Sequence, residues 1–244
     1  MNLLDKSLYP IIFQRKSTRK YSTDPVSSEL LANLQEFIAN TTPLITSEKA
    51  AFEIQSHKGS MMKIAAYSKS EAASRINMAF MLQQMDLFLQ KNGVGSLWNA
   101  TIRATTKEYQ GLPYGISLIF GIARDRPLRS DSTQFDRKKP AEISDKLGLP
   151  FIEAVRLAPS ARNRQPWHLV CEDNSIHFYC SQGNLIDNTL LRNLHWIDIG
   201  IAVCHAVLAL CQNDISFEAV IKENMPEHSG YNYCISLELP AKSG

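Results

Sequence analysis

The residues best placed to do chemistry in this 244-residue chain lie in one short run. It reads Ala158-Pro159-Ser160-Ala161-Arg162-Asn163-Arg164-Gln165-Pro166-Trp167. An apolar helix (Phe151, Ile152, Val155, Ala158) starting at Pro150 precedes it. Pro159 ends that helix, because a proline disfavours the α conformation in the residue before it. A strand then begins at Trp167-His168-Leu169-Val170. Ser160, Asn163 and the backbone N–H of Ala161 are thereby offered to the flat polar edge of a ligand. The alternative is a loop whose Ser and Asn satisfy only their own backbone. The second stretch is Arg15-Lys16-Ser17-Thr18-Arg19-Lys20-Tyr21. If extended, its alternation puts Arg15, Ser17 and Arg19 on one side, which suits a phosphate or a developing anion. A solvated basic run is the other reading. A third basic group, Arg137-Lys138-Lys139, closes a polar segment that starts at Arg124.

Composition narrows the partners. With 26 basic and 24 acidic residues the net charge is +2, too weak to suggest nucleic acid. The six histidines lack metal-ligand spacing, so no metal site is expected. The five cysteines form no Cys-x-x-Cys pair and fall in apolar patterns, which points to reduced core residues and a cytoplasmic location. The N-terminus has no basic region followed by a long apolar run, so no signal peptide is expected. Trp196–Cys211 is the most apolar segment. Asp198 and His205 interrupt it, and it reads as a core helix rather than a membrane span.

These stretches need elements to hold them. Residues 1–14 read as a short helix. Ser27 or Ser28 can cap a helix with Leu30, Leu31, Leu34, Phe37 and Ile38 on one face. A hairpin is expected from Phe52–Gln55 and Lys63–Ala66 around Lys58-Gly59. Ile76–Lys91 reads as a helix buried over most of its circumference, ended by Gly93. Gly115–Ala123 reads as a strand. Trp98, Trp167 and Trp196 read as core.

The ten-residue run resembles the Ala-Pro-Ser-x-x-Asn-x-Gln-Pro-Trp motif of the FMN-dependent nitroreductase family. Arg15-x-Ser17-x-Arg19-x-Tyr21, followed by Pro25-Val26, resembles that family's opening motif. Gly93-Val94-Gly95-Ser96-Leu97-Trp98 after a long apolar helix is also similar to it, and Arg137 and Lys139 loosely match its terminal basic pair. The resemblance implies an α+β nitroreductase-like fold and a bound FMN. It assigns Arg15 and Ser17, with Arg137 and Lys139, to the ribityl–phosphate end. Arg19 is assigned to the pyrimidine edge, where it stabilises the charge of reduced flavin. Gly95 and Ser96 bring backbone N–H groups to the ring, while Pro159, Ser160, Ala161 and Asn163 line ring and ribityl. No side chain stands out as a general acid or base. NADH or NADPH is the implied reductant of a ping-pong oxidoreductase acting on a small nitroaromatic or quinone-like acceptor. A flavin sensor or storage protein without turnover, or a flavin-fragmenting or dehalogenating relative, is the alternative.

The pattern then begins again. The helix Ser28–Ala39 corresponds to Leu149–Leu157, the hairpin Phe52–Ala66 to His168–Cys180, and the helix Ala79–Asn92 to Gly200–Asn213. Pro43 aligns with Pro159, Ile54 with Val170, Leu87 with Leu208 and Leu89 with Leu210. The first repeat, residues 1–140, keeps the arginine, glycine and basic elements but has Pro43-Leu44-Ile45-Thr46-Ser47 in place of Pro-Ser-x-x-Asn. The second, residues 141–244, keeps only Pro159-Ser160-Ala161-Arg162-Asn163. Family enzymes are homodimers with composite sites, so the resemblance implies two tandem degenerate repeats forming an intramolecular pseudo-dimer. One complete site and a monomeric chain follow.

Overall fold

Two long helices form the centre, because neither, over its described side chains, has a polar face to give to water. They are α3 (Ala72–Lys91) and α6 (Leu185–Gln212). The computed structural model describes residues 4–125, 128–182 and 185–240. In α3 even Asn77, Gln83, Gln84, Asp86 and Gln90 are buried, so each must find an internal partner. Asn77 Oδ1 accepts the N–H groups of Leu44 (2.8 Å) and Ile45 (3.0 Å), and its Nδ2 donates to Glu48 O. Gln83 Nε2 meets His205 Nε2 of α6 at 3.1 Å, while His205 Nδ1 meets Ala154 O at 2.8 Å. Burial holds that imidazole neutral, its pKa pushed down to about 3. Residues 194–212 of α6 are long and apolar enough to cross a membrane by length and composition, but 89% of that stretch is buried in the fold. It is a core helix.

The short helices follow their sequence signals. They are α1 (Tyr9–Ile12), α2 (Ser28–Ala39), α4 (Pro140–Ile143) and α5 (Pro150–Arg156). Ser27 caps α2 by accepting the Leu30 N–H, and Pro150 opens α5.

Each side of the helix pair carries an antiparallel sheet. The first joins β1 (Ala50–Ser56), β2 (Met62–Ser68), β3 (Gly95–Asn99), β4 (Glu108–Tyr109) and β5 (Leu112–Gly121), in the order β1-β2-β5-β3 with β4 on β5. The second joins β6 (Trp167–Cys171), β7 (Ser175–Ser181), β8 (Glu218–Val220) and β9 (Tyr231–Glu238), in the order β6-β7-β9-β8. Both sheets therefore run first, second, last, third. Both break register at one place, between Ala66 and Tyr67 on β2 and between Phe178 and Tyr179 on β7. The expected strand Gly115–Ala123 begins three residues earlier, because Leu112 and Pro113 pair with β4.

Gly200 lies where α6 crosses α3. A Cβ there would sit 2.3 Å from Ile76 O and 2.8 Å from Ala79 Cβ. Backbone cannot yield as a side chain tip can. Gly200→Ala is expected to destabilise by on the order of 3 kcal/mol, although the same change on an exposed helix stabilises by about 1 kcal/mol. The urea midpoint reads the sign directly.

Candidate functional site

The arm of residues 15–21 lies along the edge of β3. Thr18 N–H donates to Ser96 O at 2.8 Å, and Ser17 bridges Ser96 in parallel. Gly95 is required by this contact, since a Cβ would fall 2.4 Å from Thr18 Oγ1. A buried network then fixes the arm to α3. Arg15 Nε donates to Asp86 Oδ2 at 2.6 Å, and Asp86 Oδ1 accepts from Ser96 Oγ and from Gln90 Nε2. Gln90 Nε2 also donates to Ser96 Oγ (2.7 Å), while its Oε1 accepts the Lys16 N–H (2.8 Å). Arg15 and Asp86 are 1% and 0% exposed. Arg15 thus enters the core, and its Nη2 reaches Ser17 Oγ at only 3.5 Å.

The loop after α5 is held against its local preference. Arg162, Asn163 and Gln165 all have positive φ, at 53°, 57° and 49°. Such backbone costs roughly 1 kcal/mol or more for a non-glycine residue and persists only where the surroundings enforce it. Here they do. Ser160 Oγ accepts the Gln165 N–H (2.9 Å), Gln165 Oε1 accepts the Lys138 N–H (2.8 Å), and Lys138 Nζ donates to Gln165 O (3.0 Å). Arg137 Nη1 donates to Asn163 Oδ1 at 2.7 Å. Ala161 N–H donates to Asp198 Oδ1 of α6 at 2.9 Å.

Between arm and loop lies a cavity of about 420 Å³, within the usual range for small-molecule sites. Ser17 and Arg19 of the arm face it. So do Leu97 and Trp98 of β3, Thr101 just beyond it, Ile116 of β5, and Pro159, Ser160, Ala161, Arg162 and Arg164 of the loop. From α6 come Leu194, His195, Ile197, Asp198 and Ile201, spaced as one helical face.

Of the sequence-predicted residues, Ser17, Arg19, Pro159, Ser160 and Ala161 meet at the cavity. Arg137 and Asn163 meet each other beside it. Gly95, Ser96, Arg15 and Lys139 are not in its lining. Gly95 and Ser96 give their backbone to the β3–β5 ladder and the arm. Lys139 is exposed at the start of α4, where its N–H donates to the Glu142 carboxylate at 2.7 Å. The Ala161 N–H is not free for a ligand, since Asp198 takes it.

Three residues were missed by the motif reading. Trp98, assigned to the core, lines the cavity and donates Nε1–H to Gln83 Oε1 at 3.1 Å. Arg129 donates to Arg15 O and stacks 4.0 Å above the Phe135 ring. Burial and the neighbouring guanidiniums of Arg15 and Arg129 push the Arg137 pKa down to about 10. Its buried Nε has no protein partner. Asp198 is 3% exposed. Burial pushes its carboxyl up to about 8, against the smaller opposing effect of the Ala161 N–H. Its Oδ2 is buried without a partner. The visible signal was a lone acid in an apolar helix.

A family model described as "Putative TM nitroreductase" matches residues 7–210. Among solved structures, the chain resembles a protein from Thermotoga maritima described as a "putative nitroreductase", at 20% identity and a TM-score of 0.69. That alignment covers 95% of this chain and 93% of the other, and it establishes the fold. A nitroreductase with bound FMN from Desulfitobacterium hafniense is 13% identical, covering 56% of this chain and 100% of that one, with a TM-score of 0.43. A nitroreductase family protein from Clostridium novyi is 16% identical, covering 49% and 87%, with a TM-score of 0.41. No curated protein matches the sequence.

Proposed function

The chain belongs to the nitroreductase family of that model, and from this premise we propose that it is an FMN-dependent oxidoreductase using NADH or NADPH. Its acceptor would be a small quinone-like or nitroaromatic molecule reduced by ping-pong turnover. One observation carries the reading: Ser17 and Arg19 of the arm and Pro159, Ser160 and Ala161 of the loop face one another across a single cavity.

The residues present fit FMN. Burial and the neighbouring Arg15 guanidinium lower the pKa values of Arg129 and Arg137, and the unpartnered Nε of Arg137 marks an unmet demand for an acceptor. Such a cluster suits a phosphate dianion. Arg129 and Arg137 would hold it, with Asn163 oriented by Arg137. Ser17 would lie towards the ribityl chain and Arg19 at the pyrimidine edge, where a fixed cation favours the reduced, anionic ring. Leu97, Trp98, Ile116 and Ile197 would exclude water from its faces. Bound FMN supplies the hydride chemistry, and the chain's residues bind, orient and shield it.

Several features support two degenerate repeats, 1–140 and 141–244, paired within one chain. The sheets share strand order and bulge position. Tyr114 and Ser117 bond at 2.9 Å after the first bulge, as Tyr233 and Ser236 do at 2.8 Å after the second. Val94 N–H returns to Leu89 O and Ile215 N–H to Leu210 O, both at 3.0 Å. That match superposes Ala79 on Gly200, the very pair in contact at the helix crossing, as a twofold axis requires. The β registers set Glu53, not Ile54, over Val170. The two hairpin turns differ in length, so a single offset cannot follow both. The buried Asp86, Gln90 and Ser96 correspond to Val207, Cys211 and Phe217, which cannot seat a second arginine arm. One composite site per chain follows, complete without another copy. The five free, buried cysteines suit a reducing cytoplasm.

Arg137→Ala and Asn163→Ala are each expected to weaken FMN binding tenfold or more, the worth of a charge-assisted bond being about 1.5–3 kcal/mol. Fluorescence titration measures it, and unchanged binding in both would remove the composite site. Oxidation of NADH or NADPH that requires both FMN and a quinone supports the enzyme. FMN bound without any turnover would contradict it.

A further inference from the structure

We propose that Asp198 stands in the cavity wall as a neutral carboxylic acid whose Oδ2–H is donated to a hydrogen-bond acceptor on the planar molecule bound there. The proposal rests on the function proposed above, and it gives the site a proton donor that the motifs do not contain.

The geometry sets which oxygen carries the proton. Oδ1 accepts the Ala161 N–H at 2.9 Å, so Oδ1 is the carbonyl oxygen and the hydroxyl is Oδ2. That atom is buried and has no partner in the protein, while its side chain lines the cavity. A buried donor left without an acceptor is costly, and a ligand acceptor would remove that cost. The charged and titratable side chains around the cavity are Arg19 of the arm, Arg162 and Arg164 of the loop, and His195 one turn earlier on α6. None of them offsets the burial of Asp198. From β3 and β5, Trp98 and Ile116 share the cavity wall with it and bring no charge.

Asn77 shows that the structural task does not need an acid. The helix match that superposes Ala79 on Gly200 also superposes Asn77 on Asp198. Asn77 Oδ1 accepts the N–H of Ile45, two residues after Pro43, as Asp198 Oδ1 accepts that of Ala161, two residues after Pro159. The Asn77 amide is also satisfied on its other side, by Glu48 O at 2.8 Å. Holding the loop therefore requires an amide at most. At Asp198 the second oxygen has no hydrogen-bond partner in the protein, and the acid is left to serve a ligand. A carbonyl, a ring nitrogen or a quinone oxygen is the matching acceptor. It could belong to the flavin edge or to the second substrate.

Asp198→Asn preserves the acceptor for Ala161 and a donor towards the ligand, but it cannot titrate. Asp198→Leu removes both. The test is FMN affinity and the KM for a benzoquinone across pH 6–9 in the three full-length proteins, with infrared difference spectra of wild type against Asp198→Asn. We expect a carboxylic-acid carbonyl band at pH 7 that fades as pH passes about 8. Wild-type affinity should fall over the same range, with Asp198→Asn flat and Asp198→Leu about tenfold weaker at pH 7. A pH effect on FMN affinity assigns the donor to the cofactor, and one on the quinone KM alone assigns it to the acceptor. Absence of the band at pH 7 overturns the proposal while leaving the FMN enzyme intact. So does a band accompanied by no change in either binding term. FMN that fails to bind at any pH, with the band present, overturns the proposed function and with it the ligand for this acid.

Discussion

Arg15→Ala should lose about 3–5 kcal/mol of folding stability, the largest single-site loss expected here. The reason is what it leaves behind. Asp86 is 0% exposed and takes the Arg15 Nε at 2.6 Å, so truncating the arginine strands a carboxylate in the core. Ser96 and Gln90 still donate to its other oxygen, but hydrogen bonds do not cancel a full buried charge. Replacing both partners, as in Arg15→Leu with Asp86→Leu, should recover most of the loss, because an apolar pair has no charge to desolvate. Urea denaturation of the two single variants and the double gives the coupling energy. A loss below about 1 kcal/mol in Arg15→Ala would mean that the pair is not buried as described. The functional consequence is indirect. Arg15 anchors the arm that presents Ser17 and Arg19, so any fall in ligand affinity must be read beside the fall in stability.

Asp198→Asn should act in the opposite direction, and with a pH signature. The Asp198 carboxyl rises from 3.8 in the unfolded reference to about 8 in the fold. Between those values the folded chain holds a proton that the unfolded chain releases. Wild-type stability therefore declines as pH rises through this window, by up to about 1.4 kcal/mol per unit. The amide does not titrate, so the variant escapes this decline. The two proteins should be nearly equal in stability near pH 4, and the variant should be several kcal/mol more stable at pH 8. Thermal melts at pH 4.5, 6 and 7.5 separate the outcomes. Parallel curves would show that Asp198 is not a desolvated acid. This result does not depend on any ligand, and stabilisation by removing a buried titrating group is what a functional cost looks like.

Much of the frame was legible because local chemistry sets it. Ser27 caps its helix, Pro150 opens another, and the mostly apolar circumference of residues 76–91 signals burial over most of its surface. The strained loop was visible as a motif but not as a conformation. Its hydroxyl and amides mostly hold the loop itself, which was the plainer of the two readings, and only part of its surface is left to the cavity. Gly95 was marked as special for the wrong neighbour: Thr18 approaches it. What stayed hidden were the partners that only tertiary structure supplies. Nothing near Arg15 in the sequence announces Asp86, and nothing near Ala161 announces Asp198. Arg129 lies in a polar stretch without periodicity, where position in space cannot be read from spacing.

The central claim is one composite FMN site built from both halves of the chain. The measurement that tests it most directly is the FMN-to-chain ratio of the loaded protein, read by absorbance after heat release. The expected ratio is close to one, lost when Arg137 and Asn163 are replaced together. A ratio close to two, or no FMN retained at any concentration, would contradict it.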